Sequence, residues 1–441
     1  MNLFIKPTKK LEGEIVAPGS KSYSHRTFIA ASLANGISII KNALTEGDVG
    51  ITINILKKLN VKIIKRNDNS YIVERTKNSF KTTAKPLNCG NSGTSIRIFS
   101  ALSLIVKDGL IFEGEFIKKN RPILPLLEAL KKLGAEYKIE ENKISIKRVG
   151  EICNKIKIRG DISSQFITAL LFVAPLLKCT NTNQIIIELT TPLVSYPYIR
   201  ITLDILKAFG INIYENLDEK KSGTYIIYCP QSYRPQVYEI PGDFSSAAFV
   251  IAATVLMEQD SKVIIKNLDY KNPQGDKEFI DILKKMGANI KILENQKAIE
   301  IIGNIKKFPL KGIEVDCNNI PDLFPILAVM GAYSKGKMVL YNAENLRRKE
   351  SDRIAVMARE LKKMGVKVEE GRDKLIIYHC DLLNISDEIN HEQDHRIAMA
   401  LTIAILASNS IYNIQNIEIV KDSYPSFIED LKKLGANIEI N

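Results

Sequence analysis

The stretch "DILKKMGANIKIL", Asp281–Leu293, recurs in altered form along the chain, and its recurrence decides the fold. The other copies read "NILKKLNVKII" from Asn54, "EALKKLGAEYKI" from Glu128, "DILKAFGINIY" from Asp204, "RELKKMGVKVE" from Arg359 and "EDLKKLGANIEI" from Glu429. The residue closing each lysine-rich segment is Asn60, Gly134, Gly210, Gly287, Gly365 or Gly435, at intervals of 74, 76, 77, 78 and 70 residues. A near-constant period of this length predicts repeated supersecondary units. Each copy describes a helix with Leu, Ile or Met on one face, ending in lysines that complement the carbonyl end of its dipole. A glycine usually follows, the residue that most easily takes the left-handed conformation ending a helix. A short alternating strand such as "ANIKIL" comes next.

A second series is interleaved with the first: "PGSKSYSHRTFIAASLANG", "CGNSGTSIRIFSALSLI", "RGDISSQFITALLFVAPLL", "PGDFSSAAFVIAATVLM", "CNNIPDLFPILAVMGAYSKG" and "HEQDHRIAMALTIAILA". Each opens with small or polar residues and turns apolar on nearly every side, as a buried helix does. Six units of about 73 residues, each with a surface helix, a buried helix and covering strands, span the chain. Turn formers concentrate in "NLDEKKSG" and "CPQSYRPQVYEIPGDF", so a division after three units falls near residues 220 to 240. On the residues alone, the first 15 or so belong to either half.

Composition narrows the function classes. With 441 residues, 45% of them hydrophobic, the chain can bury substantial cores. No signal-peptide core follows the N-terminus, and the best apolar run, Phe166 to Leu177, is too short to cross a bilayer. Cys89, Cys153, Cys179, Cys229, Cys317 and Cys380 form no C-x-x-C pair and read as structural thiols of a reducing cytosol. Four histidines, none clustered with cysteine, argue against zinc. The net charge of +12 is spread through helix ends and loops without a nucleic-acid-binding motif, which favours a surface that steers small anions.

The polar starts of the second series carry the candidate chemistry, since a helix N-terminus presents unpaired N–H groups and favours anions. Helix capping alone also explains Ser, Thr, Asn and Asp at such positions. Lys21, Ser22 and Arg26 stand at the first start, where a cation beside the positive helix end calls for an anionic neighbour. "GNSGTSIR" offers an anion-cradling loop ending in Arg97 but is not a Walker A sequence. Ser163, Ser164 and Gln165 are hydroxyl and amide donors or, equally, a plain cap. Asp322 precedes an apolar run, where a cap is the default role. "RRKESDR" packs Lys349, Glu350, Asp352 and Arg353 together; as a helix it is a mixed-charge face with residues 350 and 353 on one side. Asp322 with Glu350 supplies two carboxylates for proton movement, and "EQDHR" adds Arg396. Several cations, many hydroxyls and two acids, without a metal cluster, point to chemistry on a phosphorylated or carboxylated small molecule.

From "APGSKSYSHR" to "SYPSFIEDL", with "GNSGTSIR", "SSQF", "TPLVSYPYI", "IPD" and "KESDR" in order, the chain resembles the 3-phosphoshikimate 1-carboxyvinyltransferase (5-enolpyruvylshikimate-3-phosphate synthase) family of enolpyruvyl transferases. The resemblance implies an α/β (α+β) protein, a two-domain inside-out α/β barrel or prism with three βαβαββ repeats per domain. It assigns residues 1–14 with 240–441 to one domain and 15–239 to the other, with the active site in the cleft between them. It implies transfer of the enolpyruvyl group of phosphoenolpyruvate to the 5-hydroxyl of shikimate 3-phosphate, releasing phosphate, by a cytoplasmic monomer with no cofactor, metal, nucleic acid or membrane partner. Lys21, Ser22, Arg26, Ser163, Ser164, Gln165, Ser195, Tyr198, Asp322, Asn345 and Lys349 match positions for shikimate 3-phosphate. Lys21, Asn91, Gly93, Arg121, Gln165, Arg353 and Arg396 match positions for phosphoenolpyruvate, and Asp322, Glu350 and Lys21 match the proton-transferring groups. Two positions depart from the pattern of many members: Asp422 stands where they carry lysine, with Lys421 one place earlier, and Ile98 stands where some carry proline. The related transferase acting on UDP-N-acetylglucosamine usually carries a reactive cysteine before its Arg-Pro pair, and "FEGEFIKKNRP" has none. A non-enzymatic anion-binding protein is the alternative of a different class.

Overall fold

The computed structural model describes residues 1–75, 80, 81, 85–178, 182–381, 383–385 and 387–440; Cys179 lies outside them. The chain divides into two compact units, a central one of Gly19–Ile240 and a split one of Met1–Pro18 with Pro241–Asn441. Each has its own hydrophobic core.

The lysine-ended segments are the outer helices Gly47–Lys58, Leu124–Lys132, Tyr196–Ala208, Glu278–Met286, Arg353–Lys363 and Phe427–Lys433. Every closing residue has positive φ: 71° at Asn60, then 81°, 84°, 109°, 83° and 100° at the five glycines. The repeated glycine is thus a repeated left-handed helix stop, which asparagine tolerates once. The second series forms the buried helices Lys21–Leu33, Gly93–Leu102, Ser164–Val173, Phe244–Val255, Phe324–Ala332 and His395–Leu406.

In the central unit the complete repeat is read most plainly from Leu87 to Arg148. Strand Leu87–Asn88 leads through the buried helix to Leu110–Glu113, its parallel neighbour. The outer helix then delivers Ala135–Glu140, which pairs antiparallel with Lys143–Arg148, itself antiparallel to Leu110–Glu113. This is the βαβαββ unit. Residues 155–228 repeat it with the same strand order. The first repeat of the unit borrows its leading strand from the far end: Val237–Glu239 pairs parallel with Gly36–Lys41.

The split unit borrows twice. Glu12–Val16 pairs parallel with Ser261–Lys266 and opens the fourth repeat. Leu3–Ile5 lies between Tyr412–Ile414 and Ile438–Ile440 and completes the sixth. The division therefore falls after Pro18 and before Pro241, not after residue 14, because the strand Glu12–Val16 stays whole beside its partner. The three buried helices of this unit pack against one another, so their polar N-termini and their C-termini are gathered at opposite ends.

Candidate active site

In the central unit, the start of Lys21–Leu33 has no side-chain cap, and the Lys21 ammonium meets the Asp48 carboxylate at 2.7 Å. The anion called for at this helix start is therefore met here by the protein's own Asp48, from the first turn of the neighbouring outer helix. Arg26 is 2% exposed, donates from Nε to Thr202 Oγ1 at 2.8 Å and from Nη1 to the Ser22 carbonyl at 2.9 Å. Burial lowers its pKa to about 10, a measure of how far this guanidinium is withdrawn from water. Burial, then Lys21 and Arg26, hold His25 well below its ordinary value, so the imidazole is neutral. Thr202 also donates to the Tyr198 carbonyl at 3.0 Å, tying the Tyr198 turn to Arg26. Ser195, 3% exposed, precedes that turn at φ 55°, a left-handed backbone rare for a non-glycine residue and common at ligand sites.

The Gly-rich loop lies against two buried guanidinium groups. Arg121 Nη1 donates to the Asn91 carbonyl at 2.6 Å and to Asn91 Oδ1 at 3.1 Å. Arg97 Nη1 donates to Gln165 Oε1 at 2.6 Å and Ser163 Oγ at 3.4 Å, while its Nε and Nη2 donate to the Pro122 carbonyl at 3.2 and 2.6 Å. Gln165 Nε2 in turn donates to Thr94 Oγ1 at 3.0 Å. The Phe116 ring is about 5 Å from both guanidiniums, and Phe166 is 5.1 Å from that of Arg97, adding cation–π attraction. A Cβ on Gly93 would sit 3.0 Å from Arg97 Nη1, 3.2 Å from Gln165 Oε1 and 3.4 Å from Arg121 Nη2. Asn91, Gly93, Arg121, Ser163 and Gln165 thus form one cluster. Ser163 caps its helix through Gln165 N at 3.3 Å, and Ser164 is buried in the first turn.

Arg97 holds this cluster together, and the sequence reading left it out of the site. Its position four residues after Gly93, on the buried face of the same helix, was the available signal.

The split unit gathers the acids. Arg353 is 1% exposed and all its donors are engaged. Nε meets Asp394 Oδ2 at 2.8 Å; Nη1 meets Asp322 Oδ1 at 2.8 Å and the Pro321 carbonyl at 3.2 Å; Nη2 meets Glu350 Oε2 at 3.2 Å and Asp394 Oδ1 at 3.4 Å. Arg396 Nη2 joins Asp322 Oδ2 at 3.3 Å. Burial raises the Asp322 pKa, but Arg396, Arg353 and Lys349 outweigh it and hold the carboxylate ionised well below its ordinary range.

Asp322 is therefore not a helix cap. The cap position of Phe324–Ala332 is Leu323, and the Asp322 carboxylate turns to the two arginines because their charges outweigh one capping bond. Glu350 does not share a helix face with Arg353 either. It lies between the short helix Glu344–Arg348 and the Asp352 cap, so the contact of the two side chains comes from a loop turning back on the helix start. Lys349 ends that short helix, and Asn345 lies within it with a buried Oδ1 that has no partner among the described residues.

Two further acids escaped the sequence reading. Asp394, 0% exposed, caps His395–Leu406 through Arg396 N at 2.9 Å and grips Arg353. Asp276, 2% exposed, accepts a hydrogen bond from Ser245 Oγ at the start of Phe244–Val255. Burial, then the charge of Asp322, pushes its carboxyl up to about 7. Among the described residues no group of three His, Cys, Asp or Glu is placed to hold a metal ion, and no helix is long and apolar enough to cross a membrane.

Residues 5–431 match the family model described as EPSP synthase (3-phosphoshikimate 1-carboxyvinyltransferase). The chain is 43% identical to 3-phosphoshikimate 1-carboxyvinyltransferase of Methanococcus vannielii over 443 residues, covering 99% of this chain and 100% of that protein. Its identity to the Methanocaldococcus jannaschii protein of the same name is also 43%, over 445 residues and 99% of each chain. The solved EPSP synthase of Acinetobacter baumannii superposes with a TM-score of 0.80 at 26% identity, covering 100% of this chain and 99% of that one. With its βαβαββ repeats in two units of three and its family motifs in order, the chain belongs to the EPSP synthase (3-phosphoshikimate 1-carboxyvinyltransferase) family.

Proposed function

We propose that the clusters described above serve one reaction, transfer of the enolpyruvyl group of phosphoenolpyruvate to the 5-hydroxyl of shikimate 3-phosphate with release of phosphate. The observation that carries this reading is the set Asp322, Glu350, Arg353 and Arg396, in which two part-buried carboxylates lie against two buried guanidinium groups.

Two polyanions repel, so a protein that binds both must offer dense, preorganised positive charge. Arg26, Lys21, Ser22, Ser163, Ser164, Ser195 and Tyr198, with Asn345 and Lys349 of the split unit, would take shikimate 3-phosphate. Arg121, Asn91 and Gly93, with Arg353 and Arg396, would take phosphoenolpyruvate, and Gln165 would serve both ligands. The reaction begins with a proton delivered to C3 of phosphoenolpyruvate, which makes C2 electrophilic. The 5-hydroxyl oxygen attacks C2 as a base takes its proton. The resulting tetrahedral intermediate loses phosphate and a proton from its new methyl group, restoring the vinyl ether. Lys21, Asp322 and Glu350 are the groups we assign to these transfers.

Saturation of Arg353 adds a requirement. Its guanidinium can take a substrate oxygen only by giving up a present partner, and Glu350 has the longest of its three closest carboxylate contacts. Anion arrival would therefore release the Glu350 carboxylate for proton transfer at the moment the substrate is in place.

Purified protein should release phosphate only when both substrates are present. Phosphate release with UDP-N-acetylglucosamine in place of shikimate 3-phosphate, or tight binding without turnover, would reject the reading. We place the protein in the cytoplasm as a monomer, on the basis of its widely spaced cysteines, none in a C-x-x-C pair, and its small-molecule chemistry; sedimentation velocity tests the second point.

A further inference from the structure

The three buried helices of the split unit end together at Leu256, Tyr333 and Ala407, at the pole opposite their polar starts. These residues line a cavity of about 380 Å³, within the range of small-molecule sites. A helix of 12 residues separates the poles by roughly 18 Å, so the cavity is distinct from the Asp322 and Arg396 cluster.

Its walls are apolar at Leu256, Ile305, Pro309, Leu310, Leu383 and Ala407. The Tyr333 hydroxyl is engaged, donating to the Ala404 carbonyl at 2.8 Å, so the ring serves as wall. The charges at the rim are unequal. Lys306 is held by Glu258 at 3.1 Å, and His379 by Asp381 at 3.0 Å. Of the two lining lysines, Lys335 has no carboxylate partner among the described residues. The helix C-termini disfavour negative charge at this pole, more strongly for a dianion than for a monoanion, but the Ala332 and Leu406 carbonyls are already occupied by Cys380 N and Thr8 N. The rest of the lining is polar, with Ser408 and Asn409 beside the charged rim, so one available ammonium next to an apolar wall suits a single negative charge on a partly apolar body.

We propose that this cavity is a binding site for an amphiphilic monocarboxylate of about one ring and a short chain, its carboxylate on Lys335 and its apolar body among Leu256, Leu310 and Leu383. The site is independent of the enolpyruvyl-transfer reading.

The test is calorimetric titration of the full chain with 4-phenylbutyrate and with 4-phenylbutan-1-ol, which keeps the body and removes the charge. The acid should bind once per chain, more tightly than the alcohol by about tenfold, the scale of one charge-assisted contact. Lys335→Met should erase that difference while leaving phosphate release unchanged. Ala407→Phe, which fills the chamber, should abolish binding of both compounds. Saturating shikimate 3-phosphate should not compete. Absence of saturable heat with the acid up to about 5 mM, equal affinity for acid and alcohol, full binding in Lys335→Met, or displacement by shikimate 3-phosphate would each overturn the proposal.

Discussion

Replacing Asp276 by Asn removes one proton-binding group from the buried acid cluster while keeping its shape. In the folded chain this carboxyl faces Ser245, Asp322, Arg396 and Asp243, and burial followed by the Asp322 charge raises it from 3.8 to about 7. The folded state therefore holds this proton more tightly than the unfolded state. The stability associated with it is complete below about pH 3.8 and is lost as pH rises to about 7. The shift corresponds to about 4 kcal/mol, at 1.36 kcal/mol per pH unit. An amide cannot ionise, and its oxygen can still accept from Ser245. Asp276→Asn should match the wild type near pH 4 and exceed it progressively, reaching an advantage of about 4 kcal/mol above pH 7. The chain contains no tryptophan, so urea denaturation is followed by far-UV circular dichroism between pH 4 and 8, comparing the two proteins at each pH. A stability difference that stays constant over this range would refute the assignment, because a lost packing contact has no reason to follow the titration of one carboxyl.

Four other substitutions test separate parts of the architecture. Glu350→Gln leaves Arg353 paired with Asp394 and Asp322, so denaturation should show a loss of about 1 kcal/mol, whereas phosphate release should fall by about 10²-fold or more. Arg353→Met strands the fully buried Asp394 and should cost about 3–5 kcal/mol in the same denaturation assay. Arg97→Met frees the Gln165 amide and opens the Pro122 carbonyl; KM for phosphoenolpyruvate should rise more than kcat falls in steady-state assays. Gly287→Ala forces a Cβ onto a residue at φ 109° and within 3.2 Å of the Pro309 carbonyl, so it should lower stability by about 1–2 kcal/mol without changing turnover.

What could be read from the sequence was what depends on near neighbours. The glycine or asparagine closing each lysine-bearing helix, the change from a polar start to an apolar helix and the short alternating strands are all local, and they recur often enough to reveal the repeat. Whether Asp322 caps a helix is not local. The choice depends on Arg353 and Arg396, 31 and 74 residues away, and their positive charge prevails over a single backbone donor. Asp394 was hidden for the same reason, its partner Arg353 lying 41 residues earlier. Arg97 and Gln165, 68 residues apart, meet because their helices pack side by side. The Lys21 and Asp48 pair joins two helix starts that no spacing rule connects.

The borrowed strands impose an order on how the chain is made. By the time Ile240 has left the ribosome, every strand of the central unit is present, and its sheets can close while synthesis continues. Leu3–Ile5 and Glu12–Val16 emerge before any strand of the central unit, yet their neighbours begin at Ser261 and Tyr412. The leading segment must therefore wait, unpaired and partly apolar, through the production of the whole central unit. The split unit is then completed by contacts spanning nearly the full chain, the class of closure that slows folding most. A circular permutant that moves Leu3–Ile5 and Glu12–Val16 behind Ile440 would fold with the waiting period removed.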